Sequence, residues 1–503
     1  MPHHLFIHHR FLVLAVLVLS LGVSLWALYL DPVINMDGIL YVEAAAHFAR
    51  GEWTQGFAVY KWPFYSLLIG ALSAVTGMHG GHAAYTLNAG LYVVLVLGFV
   101  AFVKVLGGSR RALWLAAFVG LLHPVLNEFR AFVIRDVGYW ACYLWGLAFL
   151  LAYARDGGTR LLTAGVVAAL AAFLFRIEGF ALLAVLPAGI YAARVGGARA
   201  APFLVPAALA AAAAAAIAPV WQYVSEVNVS TPDLLLHPLH HVAESWRLIG
   251  DNVAARLQAL QREFGGLGTG PAALSVYAGT ALAMMLIESI KSVGIVFTGL
   301  LVYGLAACRI HVPAPMRNWW LLAVAVQVLL VLQFGLTNFF LAERYPVALA
   351  LTVLPVVPLA LDDIWRRFGS AGDSRRWRAV LVTVLLVVES LEGLDVATGK
   401  HYIKDAGLWL RASAPPGSTL YSNNRILAYY AGLEKALPDA RYTWEEAMQQ
   451  VWTDNWRRHD YFALVMPAAE RRNEVLLFQR LDAEPVKTFG SDTGDRVLIF
   501  RAP

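Results

Sequence analysis

Charge is scarce in this chain: only 15% of its 503 residues are Asp, Glu, Lys or Arg, against about a quarter in an ordinary water-soluble domain. Cysteine is nearly absent. Cys142 and Cys308 both fall in or beside apolar stretches, which argues against a disulfide framework. Beyond residue 395 there is no glycine-rich phosphate loop, no metal-spaced Cys/His set and no nucleophile elbow. His237, His240 and His241 lie close together, yet no carboxylate stands at ligand spacing, and a solvated amphipathic helix is the better reading. The sequence therefore assigns no cofactor, because a divalent metal has no clear ligand set.

What is present is hydrophobic sequence, 59% of the chain, with a mean hydropathy of +0.60. A bilayer-spanning helix needs roughly 20 mostly apolar residues, and such runs recur to about residue 394. The expected spans are 11–30, 85–105, 112–126, 135–153, 161–176, 179–193, 201–220, 277–305, 318–338, 345–361 and 378–394. The expected architecture is a mainly α, polytopic transmembrane bundle of about 11 spans. Residues 11–30 are longer than a signal-peptide core and lack a following small-residue cleavage site, which reads as an uncleaved first span. Residues 63–78 are apolar but interrupted by Pro63, Gly70 and Gly77, and read as a re-entrant or interfacial helix.

Arginine sets the orientation. Lys104, Arg110, Arg111, Arg155, Arg160, Arg194, Arg199, Arg309, Arg317, Arg366, Arg367, Arg375, Arg376 and Arg378 fall on one set of short loops, the cytoplasmic set by the positive-inside rule. The net charge of +5 thus reflects topology, and no nucleic-acid partner is expected. Segments 31–62, 127–134, 221–276, 339–344 and everything after 395 face outward, in a multi-pass protein of the plasma (inner) membrane with a cytoplasmic N-terminus. The expected division is a membrane domain over 1–394 and an extracytoplasmic α/β domain over 395–503. In the latter, WLRAS and NRILAYYAG read as helices, while STLYS, DYFALVMP, EVLLFQRL and RVLIF read as short strands.

The charges left on the outward side carry the functional reading. Asp37 precedes an expected interfacial helix, YVEAAAHFARGEW, where helix cap and catalytic base are both open readings. Glu128, Arg130, Arg135 and Asp136 cluster where the fourth span begins. Snorkelling or a local ion pair is the plainer account, but an Arg-Asp pair entering a span is costly unless it faces a polar cavity. Arg176 and Glu178 occupy a tight turn between two apolar stretches, and Glu343, Arg344 and Tyr345 end another; pairing inside the bundle is the alternative to ligand binding. Lys61 is either an ordinary interfacial lysine beside Trp62 or a phosphate contact. Glu288 and Lys291 can pair along one helix face and are weaker candidates for the same wall. Several such sites on one face point to a shared anionic ligand.

These motifs resemble the GT-C superfamily of membrane glycosyltransferases, including aminoarabinose transferases, protein O-mannosyltransferases and bacterial mannosyltransferase-like proteins. DGILYVEAAAHFARGEW is similar to the family's first outer loop, KWPFYSLL to its lysine-proline stretch, FRIEG to its turn after the fifth span, and ERYP to its late arginine-tyrosine motif. The resemblance implies that Asp37 is the catalytic acid of that loop, that Asp136 matches a second acidic position, and that Lys61 contacts the lipid phosphate. It implies a polyprenyl-phosphate sugar donor, membrane lipid as surroundings, and a glycan, lipid or protein acceptor. Gly38 stands where many relatives carry Glu, and Tyr60 where the aminoarabinose transferases carry Glu. The chemistry agrees: a departing phosphate needs cations rather than a proton donor, and one carboxylate suffices as base, with inversion at the sugar carbon expected. A flippase of lipid-linked sugars and an inactive envelope component are the rival readings.

Overall fold

A computed structural model of the chain describes residues 10–184, 186, 251, 253–259, 262, 271–307, 312–338, 341–369, 374–395, 399–435 and 444–502. The expected span 201–220, most of 179–193, and His237, His240 and His241 lie outside the described residues.

The first apolar run forms α1 (Arg10–Leu30). The following loop leads into α2 (Met36–Ala49), α3 (Trp53–Val59) and α4 (Phe64–Thr76), which end where Gly77 adopts φ +71°. α5 (Gly80–Val105) and α6 (Arg110–Leu122) come next; Ser109 Oγ accepts from Ala112 N at 3.2 Å, capping α6. His123 and Pro124 then break the expected 112–126 span, and Pro124 starts the short α7 (Pro124–Glu128). α8 (Asp136–Asp156) and α9 (Thr159–Phe175) follow, with a 3₁₀ turn at Ile177–Gly179 before α10 (Phe180–Ala184).

After the undescribed stretch, the expected 277–305 span proves to be two helices, α11 (Pro271–Val293) and α12 (Ile295–Ala307). Gly294 sits between them at φ +89°, a backbone conformation that glycine adopts at least cost. α13 (Ala314–Asn338) leads to α14 (Val347–Val353) and α15 (Val356–Phe368), separated at Pro355, and then to α16 (Arg376–Glu392).

Among the described residues, six helical stretches are long and apolar enough to cross a membrane: Arg10–Leu30, Gly80–Val105, Asp136–Asp156, Ala272–Val293, Ala314–Leu336 and Val347–Phe368. α4, α9 and α12 are shorter apolar helices. Packing centres on α8, whose length is mostly buried. Gly138 on α8 leaves room for the Phe175 ring of α9, and Gly98 on α5 lets Trp145 close against it. Leu25, Ile295, Leu305, Leu321 and Leu329 are instead exposed on the helices that flank this core, and apolar side chains so placed are satisfied by lipid rather than water.

The C-terminal region begins with α17 (His401–Ser413) and continues through β1 (Thr419–Ser422), α18 (Arg425–Ala431), β2 (Glu434–Lys435), α19 (Trp444–Trp452), β3 (Tyr461–Met466), α20 (Glu474–Leu481), β4 (Lys487–Gly490) and β5 (Arg496–Arg501). The sheet runs β2-β1-β3-β5-β4. β1 is parallel to β2 and β3, and β5 is antiparallel to β3 and β4. EVLLFQRL is therefore the helix α20, not the expected strand. Leu477 and Leu481, four residues apart, are buried while Val475 and Leu476 are exposed, and a short apolar run does not distinguish that pattern from a strand.

This region is tied to the helical part at several points. Tyr430 Oη accepts from Ile34 N at 3.0 Å and donates to Pro32 O at 3.2 Å. Lys404 Nζ reaches Pro32 O at 3.1 Å, and Arg425 pairs with Glu43 at 2.7 Å.

Candidate functional site

The loop after α1 is pinned before it turns into α2. Asn35 Oδ1 accepts from Val133 N at 2.7 Å, and Asn35 Nδ2 donates to Val133 O at 3.3 Å, fastening this loop to the one before α8. Gly38 lies at the point of contact: a Cβ there would stand 2.8 Å from both Asn35 Oδ1 and the Val133 Cβ. Glycine at this position is thus a packing requirement of this chain.

Asp37 is in the first turn of α2, one residue inside the helix, and Asn35 holds the N-cap position. The cap role weighed for Asp37 is not the one it takes. Its carboxylate still benefits from the positive end of the helix. α2 also packs more deeply than a surface-lying helix, with Ile39, Tyr41, Val42, Ala45 and Phe48 buried. Asp37 Oδ2 accepts from Arg344 Nη1 at 2.6 Å. Both side chains are partly exposed and line a cavity of about 250 Å³ with Asp31, Asn35, Met36, Phe132, Lys400 and Ile426. Lys400 and Ile426 come from the C-terminal region.

The second group lies behind this pair. Asp136 opens α8 and is buried against Arg176, which follows α9. Arg176 also holds Glu178, with Nε donating to Oε2 at 3.0 Å. Burial alone would raise the Glu178 carboxyl, but the Arg176 guanidinium outweighs it and draws the group well below the usual carboxylate range. Tyr345 joins the two groups. The Arg176 and Arg344 guanidinium carbons stand 5.2 and 5.6 Å from its ring centroid, and Phe334 stacks on it at 3.8 Å. The charge of Asp136 also acts on Arg344, so the clusters share one electrostatic field.

Arg135 lies over the Tyr60 ring at 5.6 Å and makes no ion pair with a described residue. Tyr60 meets Tyr41 edge-on at 4.9 Å. Burial pushes the Tyr41 phenol well above its ordinary range, against the opposing charge of Arg135. Lys61 is exposed and is not joined to Asp37 by a hydrogen bond or ion pair. Its neighbour Trp62 donates to Leu174 O at 2.6 Å, which places the lysine beside the turn that carries Arg176.

Glu343 is set apart from Arg344. Its carboxyl shares a hydrogen bond with Glu128, and burial with the nearby Glu343 charge raises Glu128 to about 7. Lys291 pairs with Glu288 at 2.8 Å across one turn of α11 and feels the charge of Glu343. Arg130 turns away from Asp37 and Asp136. It is buried and donates to Asn127 Oδ1, Ser20 O, Ser20 Oγ and Ser24 Oγ at 2.9–3.2 Å, which fixes the loop to α1. Among the described residues no three His, Cys, Asp or Glu side chains are grouped to hold a metal ion.

Sequence reasoning missed Asn35, Tyr41 and Lys400. Asn35 carried a signal as a loop Asn ahead of a helix, and Tyr41 as an aromatic beside an acid. Lys400 carried none, because its placement depends on the fold of the C-terminal region.

No family model and no curated protein matches the chain. Solved structures do. An Archaeoglobus fulgidus oligosaccharyltransferase tethered to an acceptor peptide with the NVT sequon aligns at a TM-score of 0.55 and 13% identity, covering 97% of this chain and 74% of that one. The same organism's oligosaccharyltransferase AglB, in complex with an inhibitory peptide and a dolichol-phosphate, aligns at 0.52 and 12% identity over the same shares. ArnT from Cupriavidus metallidurans, in the apo state, aligns at 0.53 and 14% identity, covering 97% of both chains. The fold is a GT-C fold. With its apolar helices, the GT-C architecture marks an integral membrane protein. At these identities the likeness concerns the fold alone.

Proposed function

We propose that the protein is a GT-C glycosyltransferase that moves a sugar from a polyprenyl-phosphate donor to a hydroxyl acceptor at the outer face of the membrane. One observation carries the reading: Asp37 presents a partly exposed carboxylate to a cavity in a GT-C fold, beside the cation of Arg344.

Asp37 Oδ2 is held by Arg344, while Oδ1 has no hydrogen bond among the described residues and is free to accept the acceptor proton. In the transfer the acceptor oxygen bonds to the sugar C1 and gives its proton to Asp37. The C1–O bond to the phosphate breaks, and polyprenyl phosphate departs with the electron pair. Attack from the side opposite the phosphate inverts the anomeric carbon. Arg344, Arg135 and Lys61 supply positive charge for the departing phosphate. A glycosidase would need two flanking carboxylates because its leaving group is an alkoxide. Asp136, Arg176, Glu178 and Tyr345 act behind this layer by fixing the position and field of Arg344, and Glu343 stands at the edge of the site. Residues 395–503 form the extracytoplasmic domain of this reading and supply Lys400 and Ile426 to the acceptor side. An archaeal neighbour is described in complex with a dolichol-phosphate, which supports a lipid-phosphate donor.

The test uses purified protein in vesicles with radiolabelled polyprenyl-phosphate sugars and a mixture of envelope acceptors. A new glycosidic bond of inverted configuration supports the proposal. Lipid movement between leaflets with no new bond overturns it in favour of a flippase.

A further inference from the structure

A second cavity, of about 510 Å³, lies in the C-terminal region and shares no residue with the one at Asp37. Its rim is the Pro415-Pro416-Gly417 turn, where Gly417 takes φ +83°. Its wall comes from the start of β3 and the end of β5, and includes Arg457, Arg458, His459 and Arg501. Its volume falls in the range of cavities that hold small ligands, about 300–1,000 Å³.

The positive charge on this wall is only partly offset: three arginines face one carboxylate, Asp460, which lies within the field of Arg501. Among the described residues of the lining, the one carboxylate, Asp460, is turned to the strand beside it, where Oδ2 accepts from Thr419 N at 2.7 Å and Thr419 Oγ1 at 2.9 Å. Among the described residues Arg458 and Arg501 form no ion pair, and Arg457 meets only the Trp456 ring, at 5.3 Å. Elsewhere in the same region Arg480 pairs with Asp454 and Arg496 with Glu474. Three exposed guanidinium groups around one polar hollow are the arrangement that binds carboxylate or phosphate through paired N–H donors.

Position narrows the source of the anion. The cavity opens at the Thr419 end of β1. The opposite end of that strand leads through Ser422 to α18, which meets the helical part through Arg425–Glu43 and Tyr430–Pro32. The hollow is therefore at the end of the sheet remote from this docking contact, which favours a water-soluble chain over a headgroup of the same membrane.

We propose that this cavity is a binding site for an anionic saccharide, a glycan segment bearing carboxylate or phosphate groups. The choice of a saccharide rests on the proposed sugar transfer; the anion specificity does not. Such a site would hold an envelope polymer beside the catalytic part without taking part in bond formation.

Isothermal titration of the full-length protein in detergent tests this, with an oligogalacturonate, a neutral maltooligosaccharide of equal length, inorganic phosphate, and vesicles containing anionic lipid as probes. The expected result is binding of the oligogalacturonate, weakened at least tenfold in Arg458→Glu/Arg501→Glu, with no binding of the neutral sugar. Asp37→Asn should bind the acidic sugar as wild type does, so failure of sugar transfer and failure of this site are read separately. Equal affinity in the charge-reversed variant with an unchanged melting temperature overturns the proposal. Phosphate binding as tightly as the oligomer overturns the saccharide assignment. Preferential capture by anionic vesicles, lost in the same variant, overturns it in favour of a membrane contact.

Discussion

Two pairs of opposite charge, Asp37–Arg344 and Asp136–Arg176, sit in one electrostatic field and differ in access. The Asp37 side chain is 38% exposed and opens on a cavity, whereas that of Asp136 is 3% exposed and closed in by Arg176. In sequence both read as an acid and an arginine at a membrane boundary. On the proposed reading, the open pair can serve chemistry because one Asp37 oxygen is uncommitted and reachable. On the same reading the buried pair positions, because moving either partner strands the other at high cost.

The sharpest way to break this comparison is to remove the buried arginine. Arg176→Ala leaves Asp136 without its ion-pair partner and should cost about 3–5 kcal/mol of stability, read as a fall in melting temperature in detergent. A melting temperature equal to wild type would show that Asp136 is not held as described. Next in size is the close approach at Gly38. Gly38→Val should destabilise by about 1–3 kcal/mol through collision with Val133 and Asn35, whereas Gly90→Ala, on α5 with open space around it and no left-handed backbone, should cost less.

Arg344→Ala probes the open pair. Its half-exposed contact with Asp37 is worth about 1 kcal/mol or less in stability, so melting should hardly change, while donor affinity falls about tenfold. Unchanged donor affinity would remove Arg344 from the phosphate site.

The smallest effect is a pH dependence at Glu128. A carboxyl raised to about 7 by burial and the neighbouring Glu343 binds its proton more tightly folded than unfolded. Its contribution to stability is complete below the unfolded carboxylate range and is lost as pH rises through about 7. Glu128→Gln should therefore raise the melting temperature at pH 8 and leave it nearly unchanged at pH 4. Equal shifts at both pH values would show that the two carboxyls do not share a proton.

Much of the layout was legible from periodicity and charge alone. The first span, the 135–153 span and most of the C-terminal elements follow from apolar runs and turn residues, because burial in lipid or in a sheet leaves that imprint locally. Pro124 and Gly294 were visible as residues, yet whether such a residue bends a helix or ends it depends on what packs around it. The run EVLLFQRL failed for a related reason, since its buried face is defined by α19 and by the sheet it packs against.

At the site, the charges were legible and their assignment to layers was not. That Arg176 turns to Asp136 while Arg344 turns to Asp37 is decided by α8, α9 and the loop before α14 meeting in space. Arg130 looked like a member of the group, and instead closes the hydrogen-bonding needs of α1 through Ser20 and Ser24.

The measurement that bears most directly on the division between the open and buried pairs is single-turnover sugar transfer by Asp37→Asn, beside its melting temperature. The account predicts a rate reduced by about 10²–10⁴ in a protein that melts like wild type. Transfer at the wild-type rate by that variant would contradict it.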